Sequence, residues 1–290
     1  MDHKAIFEKI RTLEIKTKHL TKEVLSGEYH AAFKGRGMAF SEVRNYHLGD
    51  EIRTIDWNVT ARFNEPFVKV FEEERELNVL LVVDISSSLN FGENEKSKRD
   101  LLLELSAVLS FSAIQNNDKI GGVFYSDTLE KYIQPGKGRK HALTILRELV
   151  DHENKSQKTD LVGALKYVQH IAKKRSIVFV VSDFIDDNEI VDTMARLKRK
   201  HDVIAIKLSD SGEQTLPKFG LIPLKNMETG KWSWVNARSA MTMKKFKGLQ
   251  EARTQVLMDD LKKKGIDAIE VKTTDDFYPV LVELFHKRTR

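Results

Sequence analysis

The apolar run Val79-Leu80-Leu81-Val82-Val83 stops at Asp84 and is followed at once by Ile85-Ser86-Ser87-Ser88. A continuous Val/Leu stretch of this length fits a strand buried on both faces, a place that the centre of a parallel sheet supplies. Asp84 then stands at the carboxyl end of the strand, the edge where open α/β sheets bind ligands. Ser86 and Ser88 add two hydroxyl oxygens within one tight loop, and a carboxylate beside hydroxyls suits a hard cation.

The pattern recurs about a hundred residues later. Ser176-Ile177-Val178-Phe179-Val180-Val181-Ser182 is again apolar and β-branched, and it ends in Asp183. Between the two strands, Lys158-Thr159-Asp160 precedes Leu161-Val162-Gly163, which reads as a helix start with a hydroxyl or carboxylate cap. Five oxygen-bearing side chains, Asp84, Ser86, Ser88, Thr159 and Asp183, are therefore expected at one rim.

Composition narrows the chemistry. The chain has 290 residues, 41% hydrophobic, enough for a sizeable core in one large domain or two modest ones. It has no cysteine, which excludes disulfides, thiolate metal sites and cysteine nucleophiles together and agrees with a reducing compartment. No stretch approaches the ~18 uninterrupted apolar residues of a membrane span, and residues 1–18 lack a signal-peptide core, so a cytoplasmic location is expected. The net charge of +5 is a small excess of 48 basic over 43 acidic residues. Basic clusters at 196–200 and 262–264 fall at the ends of expected helices, where they favour the helix dipole, so no nucleic-acid partner is expected.

Along the chain, 2–26 reads as a helix, and 27–76 as glycine-punctuated short strands and loops, with alternation over 39–46 and 66–71. From residue 77 strands and helices alternate. Strands are expected over 78–83, 119–125, 129–134, 176–182, 203–208 and 268–272, and a hairpin joins 221–225 to 232–235 through Glu228-Thr229-Gly230. Helices are expected over 98–115, 138–151, 160–174, 188–200, 240–264 and 277–287. The fold class is therefore α/β: a doubly wound, mostly parallel sheet with flanking helices over 77–290, plus an N-terminal helix and β-rich extension over 1–76. The helix after the Asp84 loop is apolar round most of its girth, hence central, and its N-terminal amides face the proposed site.

Asp84-Ile85-Ser86-Ser87-Ser88 with Thr159 and Asp183 resembles the metal-ion-dependent adhesion site (MIDAS) of von Willebrand factor type A (vWA) domains, Asp-x-Ser-x-Ser with a later Thr and Asp, at all five positions. The segment Tyr46-His47-Leu48-Gly49-Asp50-Glu51-Ile52-Arg53-Thr54-Ile55-Asp56-Trp57, with Thr60-Ala61-Arg62 and Val68 to Arg75, is similar to the signature of the bacterial "domain of unknown function fifty-eight" family. The resemblance implies a binding module, an adaptor or chaperone-like companion of MoxR-type AAA+ ATPases, some members being encoded beside membrane-anchored vWA proteins of the Bat aerotolerance group, which are further candidate partners. Leu89 and Asn90 depart from many adhesion sites, which place smaller residues and a glycine after the serines.

Magnesium takes near-octahedral oxygen ligands and keeps several waters. Ser86 and Ser88 would bind it directly, Asp84 and Asp183 directly or through ordered waters, and Thr159 either way; manganese and calcium are the other candidates. Neutral hydroxyls leave part of the ion's charge uncompensated, so an open position would attract an acidic residue of a partner protein. The plainer alternative is a capped turn, since Asp and Ser are common turn residues. Arg44, Asp50, Arg53, Asp56, Trp57 and Arg62 form either an exposed interface patch or a buried ionic and aromatic lock on the sheet edge, the lock being favoured. The run Glu72-Glu73-Glu74 with Glu76 reads as a solvated approach to the first central strand.

Enzyme readings fare worse. The alternative of a metal-assisted phosphohydrolase using the Asp84 loop meets Ser86 where haloacid-dehalogenase-type phosphatases carry a second Asp. No Walker A, dinucleotide, His-Glu-x-x-His or Gly-x-Ser-x-Gly pattern is present, and His141, His170 and His201 read as surface or core residues. No catalytic residue is expected.

Overall fold

The chain first forms an antiparallel pair, β1 (Ala39–Asn45) and β2 (Phe67–Glu72), around the short helix α1 (Trp57–Phe63). In this computed structural model the described residues are 11–12, 14, 29, 31–33, 39–72, 76–90, 97–152, 158–185, 189–214, 220–225 and 232–289. Most of the helix expected over 2–26, Glu73, Glu74 and the turn at 228–230 lie outside them.

The apolar run is β3 (Asn78–Asp84), at the interior of a six-stranded sheet with β4 (Lys119–Tyr125), β5 (Leu129–Gly136), β6 (Ile177–Ser182), β7 (Asp202–Ser209) and β10 (Asp267–Lys272). Their spatial order is β10-β7-β6-β3-β4-β5, and every pair is parallel except β4 with β5. Counted from β3, this is the doubly wound order 3-2-1-4-5-6, whose direction reverses between β3 and β6. It is a mixed, mostly parallel α/β sheet with helices on both faces, the fold class expected from the sequence. A separate hairpin, β8 (Leu221–Lys225) with β9 (Trp232–Asn236), stands apart from this sheet.

Strand periodicity divides the core into two layers. Val79, Leu81 and Val83 of β3 and Phe179 and Val181 of β6 face a layer that includes α2 (Lys98–Gln115), α3 (Arg139–Asp151) and α7 (Phe277–Thr289). Leu80, Val82, Val178 and Val180 face α4 (Leu161–Ile171), α5 (Glu189–Lys198) and the end of α6 (Ala240–Lys263). Each fully buried Val or Leu contributes roughly 1.5–3 kcal/mol. α2 is buried round most of its girth, as its composition predicts. Tyr29 and Phe33, which precede the β1–β2 pair, join the first layer: Phe33 stacks edge-on to Phe285 and Phe179, with ring centres 5.4 and 5.9 Å away.

The favoured lock reading of the 44–62 segment is corrected by the structure. Arg44 does grip Asp50 through two bonds of 2.7 and 2.8 Å, and Asp56 caps α1 by accepting the Asn58 and Val59 amides. Trp57, however, is 67% exposed, and α1 buries none of its residues. The reason is local: this helix lies on the small β1–β2 pair and has no large sheet face to cover it. Glu76 is more than solvated approach, since it pairs with Lys119 at 2.9 Å and with Lys137. Those lysines hold its carboxyl down to about 2, the Lys137 bond being the largest cause. Among the described residues no helix is long and apolar enough to cross a membrane.

Candidate metal centre

β3 and β6 run parallel with Val83 level with Val181, so their carboxyl ends deliver Asp84 and Asp183 to one rim, at the point where the strand order reverses. The Ile85 amide donates to the Tyr125 carbonyl at 2.8 Å, extending the ladder one residue before the chain breaks into a turn over Ser87–Asn90. Asp84 Oδ1 accepts the Ser86 amide at 2.8 Å, the local turn that Asp favours, and this folds the loop back over the carboxylate. Ser86 Oγ then lies 2.9 Å from Ser88 Oγ. Neighbouring ligands of an octahedral Mg2+, each about 2.1 Å from the ion, stand about 3.0 Å apart. The two hydroxyls are hydrogen-bonded to each other, and their spacing is also that of adjacent ligands of one ion. Leu89, the departure noted in sequence, is a core residue at 1% exposure and anchors the turn from below.

The second strand braces the first. Ser182 Oγ donates to Asp84 Oδ2 at 3.1 Å and accepts the Phe184 amide at 3.2 Å, with Phe184 in the left-handed region at φ 52°. Asp84 and Ser86 have no exposed surface, and Asp183 has 3%. Burial pushes the Asp84 carboxyl above its usual range and the charge of Asp183 adds to this, while the Ser86 and Ser182 hydrogen bonds oppose it. A cation beside these acids would relieve both the burial and the repulsion.

Asp183 turns its carboxylate to Lys98, the first residue of α2, at 3.1 Å. Lys98 also pairs with Glu213, in the turn Ser211–Gln214, and Lys207 Nζ donates to the Asp183 carbonyl at 2.6 Å. Burial disfavours the Lys98 ammonium, but Asp183 and Glu213 outweigh it and raise its proton affinity. At Lys207 burial wins and lowers it. Thr159 is half-buried and immediately precedes Asp160, whose amide donates to the Ser126 carbonyl at 2.7 Å, just past the end of β4. Asp160 itself caps α4 through the Gly163 amide at 2.8 Å.

The structure therefore places Asp84, Ser86 and Ser88 in one hydrogen-bonded loop, Asp183 on the neighbouring strand end at one side, and Thr159 beside the strand end at the other. Among the described residues no group of three or more His, Cys, Asp or Glu side chains could hold a metal ion, and the five expected donors comprise two carboxylates and three hydroxyls. Ser182, Lys98, Lys207 and Glu213 were not singled out from the sequence. Lys98 carried a readable signal: a lysine in the first turn of a helix opposes the helix dipole and calls for a specific acidic partner.

The family described as "Protein of unknown function DUF58" matches residues 42–256. An uncharacterized protein of Mycobacterium tuberculosis is 30% identical over 223 residues, covering 76% of this chain and 70% of that protein. YeaD, an uncharacterized protein of Bacillus subtilis, is 32% identical over 110 residues, covering 38% of this chain and 25% of its own. Among solved structures, the conserved hypothetical protein BatB from Bacteroides thetaiotaomicron is similar at 12% identity and TM-score 0.45, covering 73% of this chain and 98% of that one. An aerotolerance-related membrane protein from Bacteroides fragilis is similar at 14% identity and TM-score 0.47, covering 73% and 99%. The fold assignment rests on the strand order of the chain itself.

Proposed function

This chain belongs to the DUF58 family, and on that premise we propose that it is a non-enzymatic, divalent-cation-dependent protein-interaction module in which Asp84, Ser86, Ser88, Thr159 and Asp183 hold Mg2+ and a partner's carboxylate completes the shell. The observation that carries this reading is the 2.9 Å spacing of the Ser86 and Ser88 hydroxyls above a buried, doubly braced Asp84. An ion ligated by neutral hydroxyls keeps a net positive charge, which an acidic residue would neutralise. A groove of about 850 Å³ opens at Phe184, the residue after Asp183, and its lining of Ile185, Leu249 and Val256 with Lys207, Arg253 and Asp260 gives an incoming segment apolar contacts and groups of both charges.

The partner we propose is a MoxR-type AAA+ ATPase, with membrane-anchored vWA proteins of the Bat group as the further candidates and a bacterial cytoplasm as the setting. Affinity capture from the native cell should recover the ATPase with Mg2+ and lose it with chelator. Asp84→Ala should abolish the Mg2+-dependent recovery while leaving the far-UV circular dichroism unchanged; equal recovery by this variant would refute the site. Phosphoryl transfer through Asp84 is disfavoured by Ser86, which stands where phosphatases of the haloacid-dehalogenase type carry a second Asp. Phosphomonoester turnover with Mg2+ that vanishes in Asp84→Asn would reverse that choice.

A further inference from the structure

We propose that Lys98 is a tethered cation that competes with the divalent ion for Asp183 and is relieved of that role by Glu213. The proposal rests on the metal reading above and names what sets the affinity of that site. Three observations support it. Lys98 is fully buried, and a buried ammonium is retained only where acids pair with it. Its position is fixed: the Ser97 hydroxyl accepts the Asp100 amide at 3.1 Å while Asp100 accepts the Ser97 amide at 3.2 Å, a reciprocal cap that sets where α2 begins. Its two partners are unlike. The Asp183 side chain is 4% exposed and stands at the ion's proposed position, whereas that of Glu213 is 26% exposed. Glu213 is held in place by its second oxygen, which accepts the Asp210 amide at 3.2 Å.

An ammonium on one carboxylate of a buried site repels a divalent ion that seeks the same carboxylate. Glu213 offers the ammonium a second acceptor nearer the solvent, so the ion can engage Asp183 without stranding a buried, unpaired charge. Removing Lys98 and removing the charge of Glu213 should therefore act in opposite directions. A merely structural role for both would weaken binding in both cases.

The test is Mn2+ binding to the full chain, read at fixed pH from the free-ion electron paramagnetic resonance signal. Lys98→Met should bind Mn2+ roughly tenfold or more tightly than wild type, and Glu213→Gln should bind it several-fold more weakly. Lys98→Met should also melt lower without metal, because Asp183 loses its counter-ion, and gain more melting temperature from Mn2+ than wild type does. If Lys98→Met fails to fold even with Mn2+, Glu213→Gln alone decides, weaker binding supporting the proposal and equal or tighter binding overturning it. Wild-type binding that Asp84→Ala abolishes, with Lys98→Met no tighter, would overturn the tethered-cation proposal and leave the metal reading standing. Mn2+ binding by neither wild type nor any variant would overturn both.

Discussion

Asp84 shows how a single carboxylate is prepared by its surroundings: one oxygen is held by its own loop and the other by Ser182, 98 residues away in the chain. His201 is a contrasting buried group. It is 3% exposed, and neither ring nitrogen has a hydrogen-bond partner among the described residues. Burial, with help from Lys200, lowers its proton affinity below the usual 6.5. Below that pH the unfolded chain takes up a proton that the folded chain refuses, so stability falls as pH drops. The melting temperature should decline on acidification from about 6.5 downward, and His201→Gln should flatten that part of the curve; an unchanged slope would exclude His201 as its source. The positions of Asp84, Ser86, Ser88 and Asp183 past strand ends were legible because an apolar run turns polar there, and that of Thr159 because it precedes a helix start. The role of Ser182 was not, because its partner lies 98 residues away, and Lys98 was legible only as a lysine in the first turn of a helix, its partner Asp183 lying 85 residues away where no local pattern names it.

At the scale of elements, the strands and helices from residue 77 onward were legible from their periodicity. β3 and β6 stand where the apolar runs predict, and β5 runs to Gly136, past the 134 expected, with Pro135 tolerated on an edge strand. α1 and the exposure of Trp57 were not legible, since seven residues carry too little periodicity and the covering surface is a property of the fold. β4 carries a constraint that sequence alone hides. A Cβ on Gly121 would meet the Ile133 carbonyl oxygen at 2.7 Å and the Pro135 nitrogen at 2.9 Å, both backbone atoms of the paired strand β5. Gly121→Ala should cost about 1–3 kcal/mol in urea unfolding despite the better strand propensity of alanine. A neutral or stabilising effect would mean that β5 yields there.

For the whole molecule, the reversal of strand order between β3 and β6 links fold to site, because it leaves the Asp84 and Asp183 ends side by side with helices departing to opposite faces. The N-terminal segment is bound into this architecture through Tyr29 and Phe33. Phe33 also carries the Arg288 guanidinium 4.8 Å above its ring. Phe33→Ala should therefore destabilise the sheet domain itself by about 3–5 kcal/mol, with one cooperative transition by both circular dichroism and tryptophan fluorescence. Two separated transitions, with the later one unchanged, would show that the segment is merely appended. The central claim concerns a single ion at the rim, and anomalous diffraction from crystals soaked in Mn2+ tests it most directly. The account predicts one peak within about 2.3 Å of both the Ser86 and Ser88 hydroxyl oxygens; a fully soaked crystal with no peak there, or with Mn2+ bound only elsewhere, would contradict it.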